Sequence, residues 1–228
     1  MISRTRNLHV AGTMDRNSFI RAIAFFTLVV GGLVGVGAFV SYQWTMSWLL
    51  LGGTFIAAIA SIFIFQGSDQ PIVSGLGVSV LSLALGLMIG PVIATYTSIV
   101  VLEAVFTALA IMVIMSVLGI MFPQAFVGIG SYLMAGLTML IFAGFAQIFL
   151  AAVLGFEQAL DMPILNWVGV AIFTGFVAYD WAKALELPYT LDNAIDASGG
   201  LVLDFVNLLL RLLEIYARAQ GGSNNSKK

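Results

Sequence analysis

Four acidic side chains and one base stand inside stretches otherwise made of leucine, valine, isoleucine, phenylalanine and small residues: Glu103, Asp180, Asp204, Glu214 and Arg211. Ionisable groups in a lipid-spanning helix cost several kcal/mol, so they normally face other protein and often carry function. Asp180 lies near the end of one apolar stretch and Asp204 about two turns into the next, with a polar connection over 183–196 between them. Two helices joined in this way run antiparallel, which brings both carboxyl groups to one half of the bundle. Two nearby carboxylates in a water-poor site cannot easily both ionise. Such a pair binds a cation when deprotonated, or shares a proton and closes. The alternative is a proton-sharing tie that merely pins two helices.

The last apolar stretch is the most informative. At about 100° per residue, Asp196, Asp204, Asn207, Arg211, Glu214 and Arg218 fall within an arc of roughly 80°, and Gly200 shares it. The rest of the surface is Leu, Val, Phe and Ile, so this helix is expected deep inside the bundle. Its stripe is either a set of satisfied interhelical hydrogen bonds or a wet, ion-accessible path. Arg211 lies about 10 Å beyond Asp204 at 1.5 Å per residue. At that level it is expected to meet Glu214, or Glu103 from the fourth helix, as a separate charge cluster of structural or pore-lining character.

These groups need elements to hold them, and the composition says where those elements live. The chain is 61% hydrophobic and only 9% charged, against about 25% charged in ordinary soluble domains. Lipid removes the conflict that so much apolar surface would create in water. A membrane helix needs about 20 apolar residues, and seven stretches qualify: 19–40, 46–65, 72–95, 98–121, 126–154, 163–182 and 197–217. The first is too long, and lacks the small-residue cleavage site, to be a removable signal peptide. The expected organisation is a tail over 1–18, an all-α seven-helix membrane domain over 19–217, and a polar tail over 218–228, disordered in its last nine residues. Trp44, Trp48, Trp167, Tyr42 and Tyr96 fall near helix ends, where amphipathic rings favour the membrane interface.

Several classes are excluded. No Lys or Arg occurs between Arg21 and Lys183, so nothing in the middle of the chain can grip a phosphate backbone, and no nucleic-acid partner is expected. The chain has no cysteine, and its one histidine, His9, precedes the first apolar run as a tail residue. Thiol chemistry and histidine- or cysteine-ligated metals are thereby removed, and no resident cofactor is expected. Arg4, Arg6, Arg16 and Arg21 put the N-terminus in the cytoplasm of a cell-membrane protein. Seven crossings then place the C-terminus outside, which Arg218, Lys227 and Lys228 oppose.

At the acidic residues the chain resembles the Bax inhibitor-like, or transmembrane Bax inhibitor motif, family. The matching segments are Val100-Val-Leu-Glu-Ala104, Val177-Ala-Tyr-Asp180 and Leu201-Val-Leu-Asp-Phe-Val-Asn-Leu-Leu-Leu210; the last is the most specific. The resemblance implies a bundle in which helix seven is wrapped by the other six, and a pH-sensitive calcium leak. It implies that Asp180 and Asp204 hold and gate the pore, with calcium bound only in transit. Bacterial relatives can carry a basic residue near the end of helix two that pairs with the aspartates. Here that region reads Phe63-Ile-Phe-Gln-Gly-Ser-Asp-Gln70, and Gln66 can donate a hydrogen bond but cannot neutralise charge.

Two other functions compete. One is a non-transporting interaction protein that modulates a membrane-embedded stress factor or protease. The other is an intramembrane aspartyl protease, but Asp204 sits in Gly-Gly-Leu-Val-Leu-Asp rather than Gly-x-Gly-Asp, and no proline follows Pro188. No other enzymatic chemistry finds support in the residues present.

Overall fold

The computed structural model describes residues 13–155 and 162–225. His9, Arg4, Arg6, Lys227 and Lys228 lie outside the described residues, and so does the tail placement expected for them. Among the described residues the fold is all-helical: α1 (Arg16–Ser41), α2 (Trp48–Gln66), α3 (Pro71–Ile93), α4 (Ser98–Met121), α5 (Pro123–Gly128), α6 (Gly130–Leu154), α7 (Pro163–Ala184) and α8 (Leu191–Asn225).

Helix starts follow local chemistry. Asp15 caps α1 by accepting from the Asn17 and Ser18 backbone N–H groups, and Ser47 and Thr97 do the same for α2 and α4. Pro71, Pro123 and Pro163 occupy first-turn positions, where a missing N–H costs little. α6 ends at Gly155 with φ +71°, a left-handed cap that glycine adopts without strain.

Six helices, α1 to α4, α6 and α7, are long and apolar enough to cross a membrane. The stretch 197–217, expected as a seventh crossing, lies within α8, which carries Asp204, Arg211 and Glu214 and is not among these six. Three boundaries differ from the sequence expectation. The stretch 126–154 is broken at Ile129 into a short α5 and a long α6. The connection expected over 183–196 shrinks to 185–190, because Thr190 caps α8 by accepting from Asn193 N–H (3.2 Å). α8 also continues to Asn225 instead of ending near 217. Its end is held against α4 by Gln220, which receives the Thr97 hydroxyl proton (3.5 Å) and donates to Glu103 (3.4 Å).

α8 packs against α1, α3, α4 and α7, whereas α2 leans on α3, and α6 packs on α7 and α5. The tightest seam joins α1 to α3. A Cβ at Gly86 would sit 2.9 Å from Gly37 Cα and 3.0 Å from Ala38 N, so glycine allows two backbones to meet. The buried Ser41 hydroxyl donates within α1 to Gly37 O (3.0 Å) and reaches Gly86 O (3.5 Å). Such close approach substitutes for the aqueous hydrophobic drive that a bilayer lacks.

The two ends of the bundle are distinct. At one end, Met14 N–H donates to Tyr189 O (2.8 Å), Arg16 donates to Ile120 O (3.1 Å), and Phe19 stacks on Tyr189 with centroids 4.8 Å apart. This end holds Arg16, Arg21, Lys183 and the 185–190 loop. The opposite end holds the 42–47 and 94–97 turns and the last turns of α8. Of the five aromatics expected as interface anchors, Tyr42, Trp44, Trp48 and Trp167 lie there exposed, whereas Tyr96 is half-buried and lines a cavity.

Candidate functional site

Asp180 stands one turn before the end of α7, and the short 185–190 loop returns the chain as α8 directly alongside. The Asp180 carboxyl lies flat against α8 at Gly200, where an added Cβ would stand 2.5 Å from its Oδ2. Gly200 is one helical turn before Asp204, on the same face. Asp204 is buried, at 5% exposure, and its Oδ2 has no hydrogen-bond partner. Asp180 Oδ2 thus sits about one helical turn from Asp204 along α8, and both carboxyl groups line one cavity. The sequence expectation that both would share one half of the bundle therefore holds in the geometry.

Both carboxyls open onto a cavity of about 720 Å³. One wall is the α8 stripe: Gly200, Leu203, Asp204, Asn207 and Arg211. The facing wall is the apolar side of α6, including Met134, Leu137 and Ile141, and Gln66 from the end of α2 also lines it. Along this cavity the Asp204 Oδ2 of the stripe has no hydrogen-bond partner. Asn207 turns back along its own helix, donating to Leu203 O (2.9 Å).

The remaining expected site residues divide between the two ends. Asp196 belongs to the end carrying the 185–190 loop, beside Asp192, Asp69 and the Ser74 hydroxyl. Asp192 is itself buried at 6% exposure, and one oxygen of each of Asp192 and Asp196 lacks a hydrogen-bond partner. Sequence reasoning missed Asp192 because it fell in the presumed loop; Thr190 as a helix cap was the available signal.

Toward the other end, the expected contact of Arg211 with Glu214 or Glu103 is corrected. Arg211 donates to Asn166 Oδ1 (3.0 Å), and Asn166 Nδ2 donates to Glu214, so a buried amide from α7 bridges guanidinium and carboxylate. Glu103 is exposed and engages Gln220. The Arg211 side chain is seated against Gly169, where a Cβ would lie 3.1 Å from its Nε. Nothing in the sequence pattern marks Asn166, a neutral amide in an apolar helix. Below this level Thr107 and Tyr216 share a hydroxyl hydrogen bond of 2.8 Å.

Among the described residues, no group of three or more histidine, aspartate or glutamate side chains is arranged to hold a metal ion. The Asp180–Asp204 pair alone offers hard oxygen ligands, too few for a tight calcium site.

The family model described as inhibitor of apoptosis-promoting Bax1 matches residues 16–221, from the first residue of α1 into the last turns of α8. The chain belongs to this family. Among curated proteins, this Bax inhibitor-family chain is 29% identical over 140 residues to "Bax inhibitor 1" of Schizosaccharomyces pombe, a match covering 61% of this chain and half of the yeast protein. It is 23% identical over 233 residues to an uncharacterized membrane protein of Streptococcus pyogenes serotype M3, covering 93% of this chain and 99% of the relative. A related membrane protein of Streptococcus pyogenes serotype M1 is 24% identical over the same length. With six apolar helices of spanning length, this Bax inhibitor-family protein is a multi-pass membrane protein.

Proposed function

We propose that this protein is a proton-regulated cation leak, passing calcium, and not an enzyme. In this reading α8 is the seventh crossing and the inner helix of the bundle, and Asp180 and Asp204 are the gate. The observation that carries it is the buried Asp204 carboxyl, whose Oδ2 has no hydrogen-bond partner and which lines one cavity together with Asp180. An unsatisfied buried acceptor costs about 1–3 kcal/mol unless a proton, water or ion meets it, which favours an ion path over a fully satisfied structural tie. An ion path needs such an oxygen available.

With both carboxyls ionised, the cavity carries two negative charges and attracts a divalent cation through hard oxygen contacts. With one proton shared between them, the pair draws α7 and α8 together and the attraction is lost. Gln66 lines the same cavity and carries no charge, so closure rests on the proton rather than on an ion pair. In this reading the pair's end of the bundle is the cytoplasmic one in a cell membrane, which Arg16, Arg21 and Lys183 at that end support by the positive-inside tendency.

The test is calcium influx into dye-loaded proteoliposomes across a pH series, for the native chain and Asp204→Asn. The asparagine variant should lose the pH dependence. Influx that responds to pH as in the native chain would overturn the gate assignment. If flux disappears in an Asp180→Ala, Asp204→Ala double variant while the cellular phenotype persists, the interaction reading prevails instead.

A further inference from the structure

A second cavity, of about 210 Å³, lies beyond the first along α8. It is lined by Val92, Tyr96, Asn207, Leu210, Arg211 and Glu214. Tyr96 belongs to the 94–97 turn, so this cavity approaches the end of the bundle opposite the aspartate pair. The two cavities have two lining residues in common, Asn207 and Arg211. Their shared wall is therefore a guanidinium and an amide from successive turns of α8.

That guanidinium is held from behind. Asn166, at 3% exposure, accepts from Arg211 through Oδ1 and spends its Nδ2 on Glu214. Gly169, one turn further along α7, leaves room for the arginine stem, with its absent Cβ 3.1–3.2 Å from Nε, Cδ and Cγ. α7 thus supplies both a seat and a tether. An arginine needed only for packing would not require a dedicated amide that ties it to a carboxylate on its own helix.

We infer that Arg211 is the inner barrier of the conduction path, a tethered positive charge between two chambers that a permeating cation must pass. The inference rests on the leak reading above and adds a second control to it. The aspartate pair sets the response to pH, whereas Arg211 sets how fast cations pass when the pair is open. Like charges repel, and a divalent ion meets twice the repulsion of a monovalent one, so the barrier also disfavours calcium relative to monovalent cations.

The chain has no cysteine, so single thiols report access cleanly. Leu203→Cys places a thiol on the first cavity and Leu210→Cys one on the second. In sealed vesicles of known orientation, a membrane-impermeant cationic thiol reagent should label Leu203→Cys from the side of the 185–190 loop and Leu210→Cys from the opposite side. Adding Arg211→Gln should speed labelling from the far side at least tenfold for both, while Arg211→Lys, which keeps the charge, should leave labelling one-sided. Thiols reachable from both sides with Arg211 intact, or one-sided labelling that survives Arg211→Gln, would overturn the barrier.

Calcium influx then separates this inference from the functional reading. At alkaline pH, where the pair is open, Arg211→Gln should raise influx several-fold, and Gly169→Ala, which crowds the arginine stem by a few tenths of an ångström while keeping its charge, should raise it less. A native chain with no pH-responsive influx defeats the leak reading, yet the labelling still decides whether Arg211 divides the chambers. If Arg211→Gln does not fold, Arg211→Met, which removes the charge and keeps an unbranched stem against Gly169, decides in its place: far-side access supports the barrier and unchanged one-sided access refutes it.

Discussion

Gly200→Ala probes the aspartate pair without touching either carboxyl. The new methyl carbon would stand 2.5 Å from Asp180 Oδ2, and an ordinary carbon–oxygen contact needs about 3.4 Å, so the carboxyl must retreat by about 1 Å. The retreat is away from α8, and hence from Asp204. For two like unit charges within the range of about 4–6 Å over which they perturb one another, a retreat of about 1 Å at an effective dielectric of about 20 removes about 0.4–0.8 kcal/mol of repulsion. That corresponds to about 0.3–0.6 of a pH unit. Weaker repulsion lets both groups ionise in more acidic solution, so the midpoint of calcium influx should move to lower pH by that amount. Stability against thermal unfolding in detergent should fall by about 0–2.5 kcal/mol, because crowding costs about 1–3 kcal/mol while replacing a helical glycine returns about 0.5–1 kcal/mol. A midpoint that stays put, or moves to higher pH, in a variant that remains folded would refute the claim that Asp180 gates through its distance from Asp204.

Two further expectations concern stability. Gly86→Ala forces a methyl group into the backbone of α1 at Gly37 and Ala38, neither of which can rotate away, so a loss of about 1–3 kcal/mol is expected; Gly31→Ala, with nothing within 4 Å, should be neutral or stabilising in the same unfolding assay. Asp15 is held below the usual carboxylate range by the Ser18 hydroxyl, with the Ser18 and Asn17 backbone N–H groups assisting. A depressed carboxyl contributes stability above its unfolded-state value and loses it as pH falls through the folded value, so Asp15→Ala should flatten the acid limb of a stability profile below about pH 4 and leave its relative slope at neutral pH unchanged.

Much of the site was legible because a helix imposes a period. The face shared by Gly200, Asp204, Asn207 and Arg211 follows from 100° per residue, and these four residues do line one wall of one cavity. The approach of Asp180 to Asp204 was legible because a short connection forces antiparallel neighbours. What sequence could not carry is partnership. Asn166 becomes a bridge only because α7 and α8 align at one particular height, and an asparagine in an apolar run has no period of its own. The spans were readable as hydropathy, yet hydropathy does not rank neighbours: α8 touches four helices closely, while α6 stands off across the cavity. The extension of α8 past Gly221 was hidden for the same reason, since Gln220 finds Thr97 and Glu103 only in three dimensions.

The uneven grip on α6 has a consequence for the surrounding bilayer. α1 and α3 are joined backbone to backbone at glycines, whereas α6 packs on α7 and α5 and presents side chains such as Phe142 and Phe149 outward. Swinging α6 outward exchanges contacts with protein for contacts with acyl chains that are equally apolar, so the protein itself supplies little restoring force. Lateral pressure from the lipids becomes the spring that keeps the chamber narrow, and a thinner or more compressible membrane loosens it.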